Sequence, residues 1–262
     1  MTPPPPILDD LVARAVGGDA GALAAVCESL EAPVYRLALR MLGHRHDAED
    51  AAQEILIKIV TSLASFEGRS ALTTWVHRIA VRHILALKRR RSELQAVDEA
   101  ALSARLEQGL AFGTGQPAPS PEDRTLTREI QLSCTQGMLM MLARDERLAL
   151  VLVDLLGFAG AEAADIVEVS HDAFRQRLTR ARAKLGEFLQ ARCGVANAAA
   201  ACRCAGQVAA KRALGMTELR MSALSIANIE TKVPDVVSVA QAELRHVRAI
   251  AAGFHEGGLL GA

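Results

Sequence analysis

Apolar residues along this chain recur at spacings of three and four, and strand-like alternation of β-branched and aromatic residues is nearly missing. That pattern predicts helices from end to end. In "DAEDAAQEILIKIVTSLASF" the residues Ala48, Ala52, Ile55, Ile59 and Leu63 make one stripe, the buried side of a helix. Asp47 and Asp50 resemble a capping box, with acids where the helix dipole favours them. Asp50, Glu54 and Lys58 line another face, which periodicity alone reads as solvated. "EGR" at 67–69 breaks this helix, and Ser70 or Thr73 is placed to cap the next. From Thr74 to about Arg91, the apolar Trp75, Ile79, Val81 and Leu85 interleave with Arg78, Arg82 and Lys88. This is an amphipathic basic helix.

The pattern stops at 107–124, "EQGLAFGTGQPAPSPEDR", where three Gly and three Pro predict a flexible linker. It resumes in "ARDERLALVLVDLLGFAGAEAADIVEVSHDAFRQRLTRARAKLGEFL". Leu148, Val151, Leu152 and Leu155 pack a first helix, and "GFAG" ends it through Gly157 and Gly160. Ala161 to Val167 form a short second helix. Ser170 caps a third, whose Phe174, Leu178, Ala181 and Leu185 face inward. The opposite side carries Asp172, Arg175, Gln176 and Thr179, flanked by Arg177, Arg180 and Arg182.

Charge sharpens the picture. Thirty Lys and Arg balance thirty Asp and Glu, yet residues 69–91 hold seven Lys or Arg, two His and no acid. A solvated face, a membrane-surface helix and a nucleic-acid-binding helix all fit such a segment. The second basic helix decides between them. Arg and Gln at the start of a helix have the fork geometry that reads guanine and adenine edges, and arginines further along suit phosphates. A short helix, a turn and a longer basic helix form a helix-turn-helix.

Composition removes other classes. With 50% apolar and 3% aromatic residues the chain reads as all-α. The longest apolar run, "LALVLV" at 148–153, is far short of the roughly 20 residues of a spanning helix. "MTPPPPILDD" offers no basic start or apolar run, so no signal peptide is expected. Five cysteines, with Cys27 and Cys134 standing alone, point to a reducing cytoplasm rather than a disulfide scaffold. Those two are expected as small buried apolar residues. No phosphate-binding Gly loop, HExxH or nucleophile motif is present, and the chain is not expected to be an enzyme.

The order "DAEDAAQEILIKI", "FEGRSALTTWVHRIAVRHILALKRRR", linker, then the helix-turn-helix resembles the extracytoplasmic-function (ECF) class of sigma-70-type sigma factors. The likeness covers about residues 8–190. It implies two small helical domains joined by a flexible linker: 1–106, meeting the polymerase clamp and the −10 element, and 125–192, reading the −35 element. It implies core RNA polymerase and promoter DNA as partners, and an anti-sigma factor as a further one. On the −10 side it implies Arg69, Ser70, Ala71 and Leu72 as a loop holding an extruded base. With them go Thr74, His77, Arg78, Arg82, Lys88, Arg89 and Arg90 on the strand, the cations neutralising phosphates at about 0.9 each in the salt slope. On the −35 side it implies His171, Asp172, Arg175, Gln176, Arg177, Thr179, Arg180 and Arg182. Asp47, Asp50, Gln53 and Glu54 become a clamp-facing surface. Three positions depart from the pattern. Glu168 stands where the turn usually has Gly, which forces a strained backbone or another turn. Ala163 replaces a larger aliphatic, and Phe174 a smaller one.

About 70 further residues, 193–262, extend past the family's minimal length. They begin with Cys193, Cys202 and Cys204 in a C-x8-C-x-C spacing. Bound Zn2+, with His255 (or His246) as fourth ligand, thiol redox sensing and plain structural cysteines all fit. A regulatory role for this extension, including closure of the two domains, is expected. The rival reading is an autonomous helix-turn-helix repressor or activator, which would bind duplex DNA as a dimer without polymerase.

Overall fold

The computed structural model describes residues 6–87, 99–110 and 121–213. Helices account for its regular structure. They are α1 (Pro6–Val16), α2 (Ala20–Leu42), α3 (Arg45–Ser62), a 3-10 turn (Leu63–Ser65), α4 (Leu72–Ala86), α5 (Glu99–Leu110) and α6 (Pro121–Met140). Then come α7 (Arg144–Leu150) with a π turn (Val151–Leu155), α8 (Gly160–Val167), α9 (His171–Arg192) and α10 (Cys204–Ala213). The all-α expectation holds. Helix continues into both ends of the stretch expected as linker, and its middle, 111–120, lies outside the described residues.

The chain divides into two compact units, residues 1–94 with 151–176 and residues 95–150 with 177–262. In the first, α2 starts where Asp19 accepts a hydrogen bond from the Ala22 amide at 3.0 Å. It stops at Gly43, whose φ of 75° only a residue without Cβ adopts easily. Val26, Leu30, Val34, Leu37 and Met41 of α2 bury against the expected stripe of α3, Ala48, Ala52, Ile55 and Ile59. Each fully buried Leu or Ile contributes about 1.5–3 kcal/mol.

The start of α3 differs from expectation. His44 is its N-cap and makes no side-chain cap bond, so Asp47 sits in the first turn without a capping box. The next helix differs likewise. Ala71 caps α4 without a side-chain bond, and neither Ser70 nor Thr73 serves. Its buried stripe is Leu72, Val76, Ala80, Val81 and Ile84, while Leu85 is exposed and Trp75 and Ile79 are half-buried. Val81 is buried as expected, but Val76, Ala80 and Ile84 take the inward places beside Trp75, Ile79 and Leu85, and interleaved Arg and apolar residues hid that choice.

In the same unit Ala163, Ala164 and Ile166 of α8 are buried, and α8 packs on α4. Glu168 follows in the left-handed region at φ 61°, ψ 44°, its amide donating to the Ala164 carbonyl. The strained backbone expected there is present.

In the second unit the end of α6 is held by cations. Buried Arg147 donates to the carbonyls of Leu139 at 2.9 Å and Leu142 at 3.2 Å, and Lys184 Nζ donates to that of Met141 at 2.9 Å. Carbonyls at a helix C-terminus have no intrahelical partners, and positive groups answer both that need and the dipole. Here α10 packs on α5 and α6. Among the described residues no helix is long and apolar enough to cross a membrane.

Candidate nucleic-acid interface

The exposed face of α3 carries Asp50, Gln53, Glu54, Ile57 and Lys58. Ile57 is 63% exposed in the middle of this polar row, and sequence reading missed it. Its i, i+3, i+4, i+7 relation to Asp50, Gln53 and Glu54 was the available signal. Lys58 Nζ lies 2.7 Å from His83 Nδ1, and Glu54 Oε2 lies 3.3 Å from His83 Nε2. Two of the polar groups on this face therefore also brace α4.

Between α3 and α4, Gly68 turns the chain at φ 68°, and Arg69 pairs with Glu67 at 2.9 Å in the open. Ser70 and Ala71 are half-buried. Leu72 is 1% exposed and belongs to the core beneath the loop. Trp75 tilts against Phe66, ring centroids 5.4 Å apart.

Helix α4 presents its polar groups to α8. Thr74 Oγ1 donates to Glu162 Oε1 at 2.5 Å. Buried His77 donates through Nδ1 to the Thr73 carbonyl at 2.7 Å and meets the Phe158 ring edge-on at 4.7 Å. Exposed Arg82 forks onto Glu168, Nε donating to Oε2 at 3.1 Å and Nη2 to Oε1. The guanidinium holds the Glu168 carboxyl below its usual range. Glu168 also faces Arg78 electrostatically. Thr74, His77 and Arg82 are thus engaged by α8 and its flanks. Those contacts span 86 and 88 positions along the chain, which no local pattern reveals. Lys88, Arg89 and Arg90 lie outside the described residues.

Both buried histidines are held neutral. Burial pushes the pKa of His77 down, with Arg36 adding to that and Glu162 opposing it. Burial and the Lys58 ammonium push His83 down, with Glu54 opposing. A depressed histidine pKa means the unfolded chain takes up the proton first. Stability is therefore full above the unfolded value of about 6.5 and is lost as pH falls below it. The unfolding free energy from urea denaturation should drop between pH 7 and 5.5, by up to about 1.4 kcal/mol per pH unit for each histidine. His83→Gln should flatten that slope; an equal slope in the variant would remove His83 from this account.

On α9, Ser170 caps the helix through the Ala173 amide at 3.3 Å. Phe174, Leu178, Ala181 and Leu185 are buried, as the stripe predicts. His171, Asp172, Arg175, Gln176, Thr179 and Arg180 are exposed, and Arg177 and Arg182 are half-buried. Three of the arginines are ion-paired: Arg175 with Asp172 at 3.1 Å, Arg177 with Asp145 at 3.4 Å and Arg180 with Glu146 at 3.0 Å. Such pairs contribute about 0–1 kcal/mol each, so phosphates and bases can replace them at little cost.

Cys193 and Cys202 are half-buried and joined by an isolated parallel backbone bridge, and Cys204 opens α10. His255 and His246 lie outside the described residues. Cys27 and Cys134, expected as small buried apolar residues, are half-buried, and burial pushes the Cys134 thiol upward.

Comparison with known proteins agrees with this arrangement. Residues 27–93 match Sigma-70 region 2, and residues 132–185 match Sigma-70 region 4. The RNA polymerase sigma-H factor of Pseudomonas aeruginosa is 29% identical over 69% of this chain and 92% of its own length. The ECF RNA polymerase sigma-E factor of Escherichia coli is 32% identical over 55% of this chain and 74% of its own length. Among solved structures, that of CnrH in complex with the cytosolic domain of CnrY covers 71% of this chain and 98% of that chain. Its TM-score is 0.50 at 22% identity, a likeness of fold. With both sigma regions in order and a relative 32% identical matched along 74% of its length, the chain belongs to the ECF class of RNA polymerase sigma factors.

Proposed function

We propose that this sigma factor, acting with core RNA polymerase in the cytoplasm, divides promoter recognition between two faces and performs no chemistry of its own. The Arg69–Ala71 loop, with Arg78 and Arg82 of α4, meets the −10 strand, Leu72, Thr74 and His77 being buried beneath it. His171, Asp172, Arg175, Gln176, Thr179 and the arginines beside them meet the −35 duplex. Asp47, Asp50, Gln53 and Glu54, with Ile57 among them, meet the polymerase clamp. An anti-sigma partner belongs to the same reading.

The observation that carries the −35 assignment is the two-sidedness of α9. Its inward stripe is buried throughout, while Arg175 and Gln176 stand exposed one turn from the N-terminus. That is where a recognition helix places its base-reading residues. A bidentate Arg or Gln contact discriminates by about 1–3 kcal/mol. In transcription with bacterial core polymerase on a promoter library, the wild-type chain should select a −35 sequence. Arg175→Ala should reduce initiation by roughly 5- to 150-fold at that sequence and relax selection at one base position. Unchanged selection in both Arg175→Ala and Gln176→Ala would remove the base-reading role from this turn.

A further inference from the structure

Helix α4 turns Val76, Ala80 and Ile84 inward, and His83 shares that side, seven residues on from Val76 and three from Ala80. Its side chain is 5% exposed, so a polar ring sits where the stripe would accept a leucine. The groups that meet it come from α3, which packs on α4 within one compact unit. Lys58 Nζ is 2.7 Å from Nδ1, and Glu54 Oε2 is 3.3 Å from Nε2. An ammonium only donates, so Nδ1 accepts and the neutral ring carries its proton on Nε2. That proton is the one within reach of the Glu54 carboxylate.

Glu54 and Lys58 stand one turn apart on α3, the spacing at which an acid and a base on a helix pair with each other. Here one buried ring takes both, the base through one nitrogen and the acid through the other. A histidine of structural use alone has its buried nitrogens satisfied inside the fold. Nε2 of His83 is buried and makes no full hydrogen bond, and the acceptor beside it belongs to a side chain that is itself 54% exposed. A buried donor without a bond is costly, and a carboxylate brought up to it is held there. Glu54 is thereby drawn to one position on the exposed face that it shares with Asp50, Gln53 and Ile57.

We propose that His83 is a positioning residue for polymerase binding: without touching the clamp, it fixes the rotamers of Glu54 and Lys58 around Ile57. This rests on the reading of Asp47, Asp50, Gln53 and Glu54 as the clamp-facing surface, and it adds a residue that the polar row of α3 does not contain. Docking freezes long side chains, at about 2- to 10-fold in affinity for each. Side chains that His83 already holds have lost that freedom before the polymerase arrives.

The test is the affinity of the full chain for bacterial core polymerase, read by fluorescence anisotropy. His83→Leu fills the space without either nitrogen and should weaken binding by about 2- to 10-fold, with urea denaturation showing that it folds. His83→Gln keeps an acceptor and a donor and should bind within about twofold of wild type. Glu54→Ala removes the carboxylate, and adding His83→Leu to it should cost less than His83→Leu costs alone. Should His83→Leu not fold, Lys58→Met takes its place in the cycle, since it lies at an exposed position and removes the donor that sets the tautomer. A merely structural histidine would weaken binding equally with and without Glu54, and glutamine would not rescue it. Either result overturns the positioning role, as does a His83→Leu chain that binds like wild type. Glu54→Ala and Ile57→Ala test the clamp reading itself. If neither weakens binding, that reading fails and the role of His83 goes with it. If both weaken binding and His83→Leu does not, the clamp reading stands and only the role of His83 falls.

Discussion

Phe174→Ala should lower the folding free energy by about 3–5 kcal/mol, a large share of the 5–15 typical of a domain. Phe174 is 1% exposed in the first full turn of α9, and its ring is among the largest fully buried side chains. Removing it forfeits the transfer energy of the ring and leaves a cavity that neighbouring helices fill only in part. The position is one residue before Arg175 and two before Gln176, so the loss falls on the helix end that carries the side chains proposed to read bases. Urea denaturation should show the shift, and −35-dependent initiation should fall with it at a temperature where the wild type is folded. Arg175→Ala supplies the contrast. Its pair with Asp172 is exposed, so stability should move by less than about 0.5 kcal/mol while promoter selection changes. A Phe174→Ala shift under 1 kcal/mol would mean the ring is not a structural anchor.

What could be read in the sequence depended on how local the determining pattern is. The inward stripes of α3 and α9 were legible because five and four apolar residues repeat at helical spacing and tertiary packing agrees with them. The cap of α9 was legible from Ser170 alone. The start and inward face of α4 were not. Ser70 and Thr73 are good caps by composition, but the helix begins at Leu72, whose burial fixes the register. Glu162 was missed for the same reason: it reads as an ordinary helix acid until α8 packs on α4. Glu168 did announce itself as an anomaly, an acid at a position that strains any side chain, but not what it touches.

That contact sets up the second large effect, in which two variants that break one ion pair should act in opposite directions. Glu168 presents a carboxylate to Arg82 with two parallel hydrogen bonds, the geometry by which a guanidinium also grips a phosphate. The acid therefore stands where a −10 phosphate would stand if Arg82 contacts DNA. Both partners are largely exposed, so the pair itself contributes little to stability. Glu168→Gly should relieve the left-handed strain of about 1–2 kcal/mol and leave Arg82 uncovered. Binding of the −10 strand and initiation should then rise several-fold, most visibly at low salt. Arg82→Ala loses the same pair but also the cation, so initiation should fall by roughly tenfold and the salt slope by about 0.9. Glu168→Gln separates charge from strain, since it keeps the φ of 61° and removes only the competing acid. It should raise binding without raising stability. If all three variants moved binding in the same direction, the pair would be a simple structural brace and Arg82 would have no phosphate to meet.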